Sequence, residues 1–159
     1  MKLLSLLSAA LLASPFATTA SPLSDLAAQF GVEWMLGTWT DASGEAIVLT
    51  YEWRLEKNAI ALKLKAPDNE AEGMTVLQPG TDQIHYVSVD SKGGIAKGNW
   101  FEHAGNPALR VTYVNPEGES KTMVVEHVKV DADTMKVKLY NGEDPDTAEA
   151  HEIELKRKK

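Results

Sequence analysis

The sequence predicts an all-β protein. About ten short strands form an antiparallel meander closed into a barrel, with a short helix before the first strand. Three observations predict it. Apolar and polar residues alternate with period two in Ile60-Ala61-Leu62-Lys63-Leu64-Lys65, in Met135-Lys136-Val137-Lys138-Leu139 and in His151-Glu152-Ile153-Glu154-Leu155-Lys156, as strands with one buried face require. Turn residues punctuate the chain at short intervals and leave no room for helical crossovers. A flat sheet of that many strands would expose two edges and a broad apolar face, and closing it removes both problems.

The elements follow in order. Residues 1–20, MKLLSLLSAALLASPFATTA, have the layout of a secretory signal peptide. Lys2 is its one charge, Leu3 to Ala13 form an apolar run too short to span a bilayer, and Thr18 and Ala20 supply small residues before a cut. The expectation is an exported bacterial protein, periplasmic or extracellular, with 21–159 as a single barrel domain. The chain has no cysteine, so packing alone must hold the fold. Loss of Lys2 takes the formal net charge from −7 to −8. So acidic a chain is a poor partner for nucleic acid or an anionic membrane, and nothing after the leader is suited to membrane insertion. The basic tail Lys156-Arg157-Lys158-Lys159 reads as a solvated strand end.

Ser24 and Asp25 are placed to cap a short helix over Leu26, Ala27 and Phe30, interrupted by Gly31. Next comes Trp34-Met35-Leu36-Gly37-Thr38-Trp39, two indoles around a glycine where the texture turns from helix-like to strand-like. Glycine there permits a positive φ or a close backbone approach. We read the motif as a device that plugs one barrel end, leaving the other open. Strands are expected near 38–41, 45–56, 60–65, 73–78, 83–89, 94–103, 108–114, 121–130, 135–139 and 151–156. Ser43-Gly44, Pro79-Gly80, Gly93-Gly94, Gly105-Asn106-Pro107 and Asn115-Pro116-Glu117-Gly118 mark turns. Two acidic stretches, Pro67–Glu72 and Asn141–Ala148, read as longer, mobile loops.

A Gly-x-Trp at the start of strand one, after a short helical segment, resembles the signature of lipocalins and related calycin barrels. The Trp-x-x-Gly-x-Trp start, with Trp53 on the second strand, the Gly93-Gly94 hairpin and Gly98-Asn99-Trp100, is similar to secreted bacterial calycin-like proteins of unknown function. That resemblance implies the barrel and no particular chemistry. A more distant similarity is to nitrobindin-like ten-stranded barrels, which bind haem through a histidine near the C-terminus. It implies His151 as the residue to carry that alternative, although the first-strand region departs from that pattern.

Candidate chemistry is sparse. The four histidines His85, His103, His127 and His151 have no metal-ligand spacing, and no metal site is expected. His85 shares its phase with Val87 and Val89 and is expected to face the core. On the strand near 121–130, either Glu126 or His127 faces inward; Met123 and Val125 favour His127. Glu143, Asp144 and Asp146 lack the spacing of a calcium loop. No nucleophile elbow or phosphate-cradling loop occurs, so no catalytic residue is assigned and the chain leans away from an enzyme. The apolar phase places Ile47, Leu49, Tyr51 and Trp53, then Ala96, Gly98 and Trp100, then Leu109, Val111 and Tyr113 inside. Aromatic walls with polar tips suit a small apolar or amphipathic ligand. The candidate binding residues are therefore Tyr51, Trp53, Trp100, Tyr113, His127 and His151. A filled barrel acting as a protein-interaction module is the competing expectation.

Overall fold

The computed structural model describes residues 22–42 and 46–159. The leader expected over 1–20 and the turn expected at Ser43-Gly44 lie outside them. Helix α1 (Leu23–Gln29) and a 3-10 turn (Glu33–Met35) precede ten strands. These are β1 (Gly37–Asp41), β2 (Val48–Arg54), β3 (Ala59–Ala66), β4 (Asn69–Leu77), β5 (Ile84–Asp90), β6 (Ile95–His103), β7 (Asn106–Val114), β8 (Ser120–Lys129), β9 (Thr134–Asn141) and β10 (Ala150–Arg157). Each pairs antiparallel with the next, and β10 returns to β1, so the barrel is closed. The all-β meander with one short helix is what the alternation and the turn residues predict.

Side chains on one phase of each strand meet inside. Trp39, Leu49, Tyr51, Leu62, Tyr86, Leu109, Val111, Met135, Val137 and Leu155 form the core. Small residues make room for large ones across the sheet. A Cβ at Gly73 would lie 2.6 Å from the Tyr86 ring, and one at Gly98 would collide with the Arg110 carbonyl oxygen. One inward tyrosine and one close strand approach thus fix where these glycines must stand.

The Trp-x-x-Gly-x-Trp segment acts with the end of the chain. Trp39 is fully buried, and its indole N–H donates to the Met35 carbonyl at 2.8 Å. Trp34 meets it edge-to-face at 6.3 Å. Opposite Trp39 in the β1–β10 register stands Arg157. Its guanidinium lies 4.1 Å over the Trp39 ring and donates at 2.7 Å to the carbonyls of both Leu36 and Trp34. Gly37 has φ +115, and a Cβ there would lie 2.7 Å from Arg157 Nη1. Glycine is therefore needed twice over, for its backbone angle and for the arginine beside it.

Several expectations need correction. Helix α1 begins at Leu23 with Pro22 at the cap position and no side-chain cap; Asp25 falls in its first turn, where a carboxylate favours the helix dipole. Asn69 to Glu72 belong to β4, leaving only a tight turn at Pro67-Asp68. The 142–149 connection is packed rather than loose: Pro145 is buried, and Ala148 joins Phe101, Ala108, Val124 and Tyr140 in a second apolar cluster. Val87 and Val89 are exposed while Tyr86 and Ser88 are buried. The inward phase of β5 is thus the more polar one, and His85 bonds Gln78 at 2.8 Å on the outside. Apolarity misleads there because Tyr86 fills the barrel and the valines clothe its outer wall.

Replacing Arg157 with Met keeps the aliphatic stem and removes three charge-assisted hydrogen bonds, to the carbonyls of Leu36, Trp34 and Ala132, and the cation–π contact. Urea unfolding of Arg157→Met should show a loss of about 2–4 kcal/mol; a loss below about 0.5 kcal/mol would mean that the seam closes without this residue.

Candidate functional site

Beneath helix α1 and the 3-10 turn lies a cavity of about 500 Å³. It occupies the barrel end reached by the last residues of β2, β4, β6 and β8 and the first of β3, β5 and β7. Trp34, Trp53, Ile60, Ile84 and Trp100 form much of its wall, and Leu23 and Ala27 of the helix cover it. The Arg157 contacts set this arrangement, because they hold the Trp34–Leu36 backbone across the barrel end. Here a further expectation is corrected: the tryptophan motif does not plug an end opposite the open one. Trp39 seals the wall, while Trp34, Met35 and Leu36 line the cavity itself.

The floor is polar and ordered. Tyr51 Oη lies 2.6 Å from His127 Nε2, and the two rings meet edge-to-face at 5.7 Å. The Trp100 ring is tilted against His127 at 5.4 Å, and its indole N–H donates to Thr75 Oγ1 at 3.0 Å. Four side chains from β2, β4, β6 and β8 thus form one connected arc. His127 Nδ1 is buried and has no hydrogen-bond partner among the described residues.

Burial dominates the electrostatics of the floor. It lowers the His127 pKa to about 4, against the smaller upward pull of the Pro107 carbonyl and Glu126. It also pushes the Tyr51 hydroxyl well above its ordinary value. Both groups are neutral at physiological pH. Charge is confined to the rim, where Glu33, Asp82, Glu102 and Lys129 border the opening.

The six residues chosen from sequence divide. Tyr51, Trp53 and Trp100 line the cavity, and His127 lies directly behind Tyr51 and Trp100. Tyr113 faces the other barrel end, where its hydroxyl donates to Asp90 at 2.8 Å. His151 is exposed opposite Leu139, at that same far end, so it and the cavity do not combine into one pocket. Thr75 was missed: as the one hydroxyl in the irregular stretch Gly73-Met74-Thr75-Val76, it has no apolar phase to announce it. Ile84 was missed because the valines of β5 advertised the opposite face.

A second polar cluster lies outside the barrel. Glu126 is 1 % exposed, although its phase points outward. Tyr140 donates to its Oε2 at 2.8 Å, and Asn106 donates to its Oε1 at 2.8 Å. His103 Nδ1 stands 3.4 Å from the same carboxylate and its Nε2 stands 3.2 Å from Asp146. Burial raises the Glu126 pKa, but the Tyr140 and Asn106 hydrogen bonds, with Lys138 and His103, outweigh it and hold the group ionised. Burial and Glu126 together push Tyr140 up to about 12. Among the described residues no set of three or more His, Asp and Glu side chains is arranged to hold a metal ion.

No family model matches the chain, and no curated protein is significantly similar to it. The closed ten-stranded antiparallel barrel is consistent with a calycin-like fold.

The His127 environment fixes the sign of an acid effect. The unfolded histidine titrates near 6.5 and the folded one at about 4. Between those values the unfolded chain binds a proton that the folded protein does not. Stability therefore falls as pH drops through that window, by roughly 3 kcal/mol at its lower end. Glu126 adds a loss only below its unfolded value, near 4.5. In urea titrations at pH 6.5 and pH 5, His127→Gln should be less stable than the parent at pH 6.5 yet change much less between the two. An equal slope in both proteins would remove His127 as its source.

Proposed function

We propose that the protein binds a small, predominantly apolar molecule in the cavity beneath helix α1, as a non-enzymatic carrier or sensor exported from a bacterial cell. The observation that carries this reading is the cavity: about 500 Å³, within the range of small-molecule sites, with tryptophans at 34, 53 and 100 on its wall. A protein without a ligand gains stability by filling such a space with side chains, since unfilled volume costs packing energy. The aromatic wall, the neutral floor and the charged rim match the division of a binding site into an apolar body and a few orienting polar groups. The resemblance of the Trp34–Trp39 start to secreted calycin-like proteins supports the barrel alone, and the leader-like residues 1–20 support export.

N-phenylnaphthylamine, a fluorophore that brightens in apolar surroundings, should bind with about one molecule per chain and quench tryptophan emission. Ile84→Trp should fill the mouth and weaken that binding at least about tenfold, while the far-ultraviolet spectrum and urea midpoint stay close to those of the parent. An absence of probe binding to the folded parent, or undiminished binding to the variant, would place the function elsewhere on the molecule.

Export has its own readout. Intact mass of the protein from the periplasm of an expressing bacterium should begin at Ser21; a chain still carrying Met1, found only in the cytoplasm, would contradict it.

A further inference from the structure

Most of the large apolar side chains that face solvent stand on one stretch of the outer wall. Val76 on β4, Val87 and Val89 on β5, Ile95 on β6 and Val114 on β7 are all exposed; Phe30, Leu55 and Val130 are the others among the described residues. Strand register makes the first group neighbours. Val89 pairs with Glu72 on one side and Ile95 on the other, and Ile95 in turn pairs with Val114. Two residues along, Val87 pairs with Met74 and with Lys97. Paired residues on adjacent strands share a face, as do residues two apart on one strand. Val87, Val89 and Ile95 are 47 %, 60 % and 46 % exposed, so neither a loop nor helix α1 covers them.

Six of these positions form a block of two rows, Glu72-Val89-Ile95 and Met74-Val87-Lys97, across β4, β5 and β6. Its two diagonals differ. One joins apolar corners, Met74 and Ile95. The other joins an acid, Glu72, to a base, Lys97. Neither charge forms an ion pair with another described residue. Lys63, opposite Glu72 on β3, is turned to Glu52 at 3.6 Å, and the cross-strand neighbours of Lys97 are Val87 and Thr112. A two-fold axis laid along the apolar diagonal exchanges the charged corners. The same block on a second copy then packs its valines against Val87 and Val89 and brings each Glu72 over the partner's Lys97. A surface that complements itself in this way is what an isologous contact needs. Its apolar centre supplies burial and its opposed charges fix the orientation.

We infer that this face is the contact between two copies of the chain, packed through the outer walls of β4, β5 and β6 about a two-fold axis. A barrel wall is convex, which confines the contact to these strands and places it in the small, concentration-dependent class. It leaves the cavity accessible, because Ile84 at the start of β5 lines the mouth and Val89 stands near the other end of that strand.

Sedimentation equilibrium of the purified protein, from about 10 μM to about 1 mM, should show a reversible monomer–dimer equilibrium. Val89→Glu should weaken it at least about tenfold, with the far-ultraviolet spectrum and urea midpoint unchanged. Glu72→Lys and Lys97→Glu should each weaken it at least about tenfold, since each sets like charges at both corners. Glu72→Lys also lowers the net negative charge of the chain, so general repulsion between copies does not account for a weaker dimer there. The double variant should return to within about threefold of the parent, and an equimolar mixture of the two single variants should form a heterodimer. A monomer at every concentration overturns the inference and leaves the face to another partner or to solvent. A dimer indifferent to Val89→Glu, single charge variants that dimerise like the parent, or a double variant no better than the singles overturns it as well, and places the contact elsewhere.

Discussion

The placement of the site depends on one arginine. The β1–β10 seam that closes the barrel contains only three paired positions, Trp39 with Arg157, Thr40 with Lys156 and Asp41 with Leu155. A seam so short gains little from ladder hydrogen bonds. Arg157 supplements it from the side, with its plane against the Trp39 indole and its nitrogens on the Trp34 and Leu36 carbonyls. Those carbonyls belong to the segment that enters the first strand. The contact that joins the last strand to the first therefore also bends the incoming chain across the barrel mouth. Without that bend, the space beneath helix α1 would be an open end of a sheet. Gly37 is the corollary, since any side chain there would occupy the position of the guanidinium.

From that constraint follows a division of the interior. Around Trp39, Met135 and Leu155 the barrel is packed with side chains that are almost wholly buried, the dense packing of an ordinary core. Toward α1 the side chains stand against the wall and leave the centre empty. The boundary between the two is polar, an arc from Thr75 through Trp100 and His127 to Tyr51. Buried polar groups cost stability unless they are paired, and these pair with one another across four strands.

The fold was legible in the sequence because a meander is written locally. Ile60-Leu62-Leu64 and Met135-Val137-Leu139 mark their own inward faces, and the turns between them need only glycine, asparagine or proline. The site was legible where it is aromatic: Tyr51, Trp53 and Trp100 follow the apolar phase. It was not legible where meaning depends on what lies across the barrel. Tyr113 and His151 share the inward phase with the cavity residues, but phase does not reveal which end of a strand a cavity occupies. Arg157 read as part of a solvated basic tail because the groups that capture it are more than a hundred residues away in sequence. Ser24 and Asp25 looked like caps by residue type, but helix α1 begins one residue before Ser24 and uses neither as a side-chain cap.

Glu126 shows why burial and inward phase are separate properties. Its strand phase points out of the barrel, and the 142–149 connection then folds back to cover it. Pro145 and Ala148 pack on the outer wall, Glu143 accepts from Arg110 at 2.9 Å, and Asp146 reaches His103. Under that strap the carboxylate stays ionised because Tyr140 and Asn106 donate to it and Lys138 and His103 lie beside it. Asn106 belongs to two structures at once: its side chain is bound to Glu126 outside the barrel, and the residue borders the cavity. On the same strand, two residues beyond it, Ala108 is buried beneath the strap. The wall between the cavity and the outer network is a single strand thick, so a shift of the β6–β7 hairpin on one side is a shift on the other. The outer carboxylate is therefore bound to the back of a residue that borders the cavity.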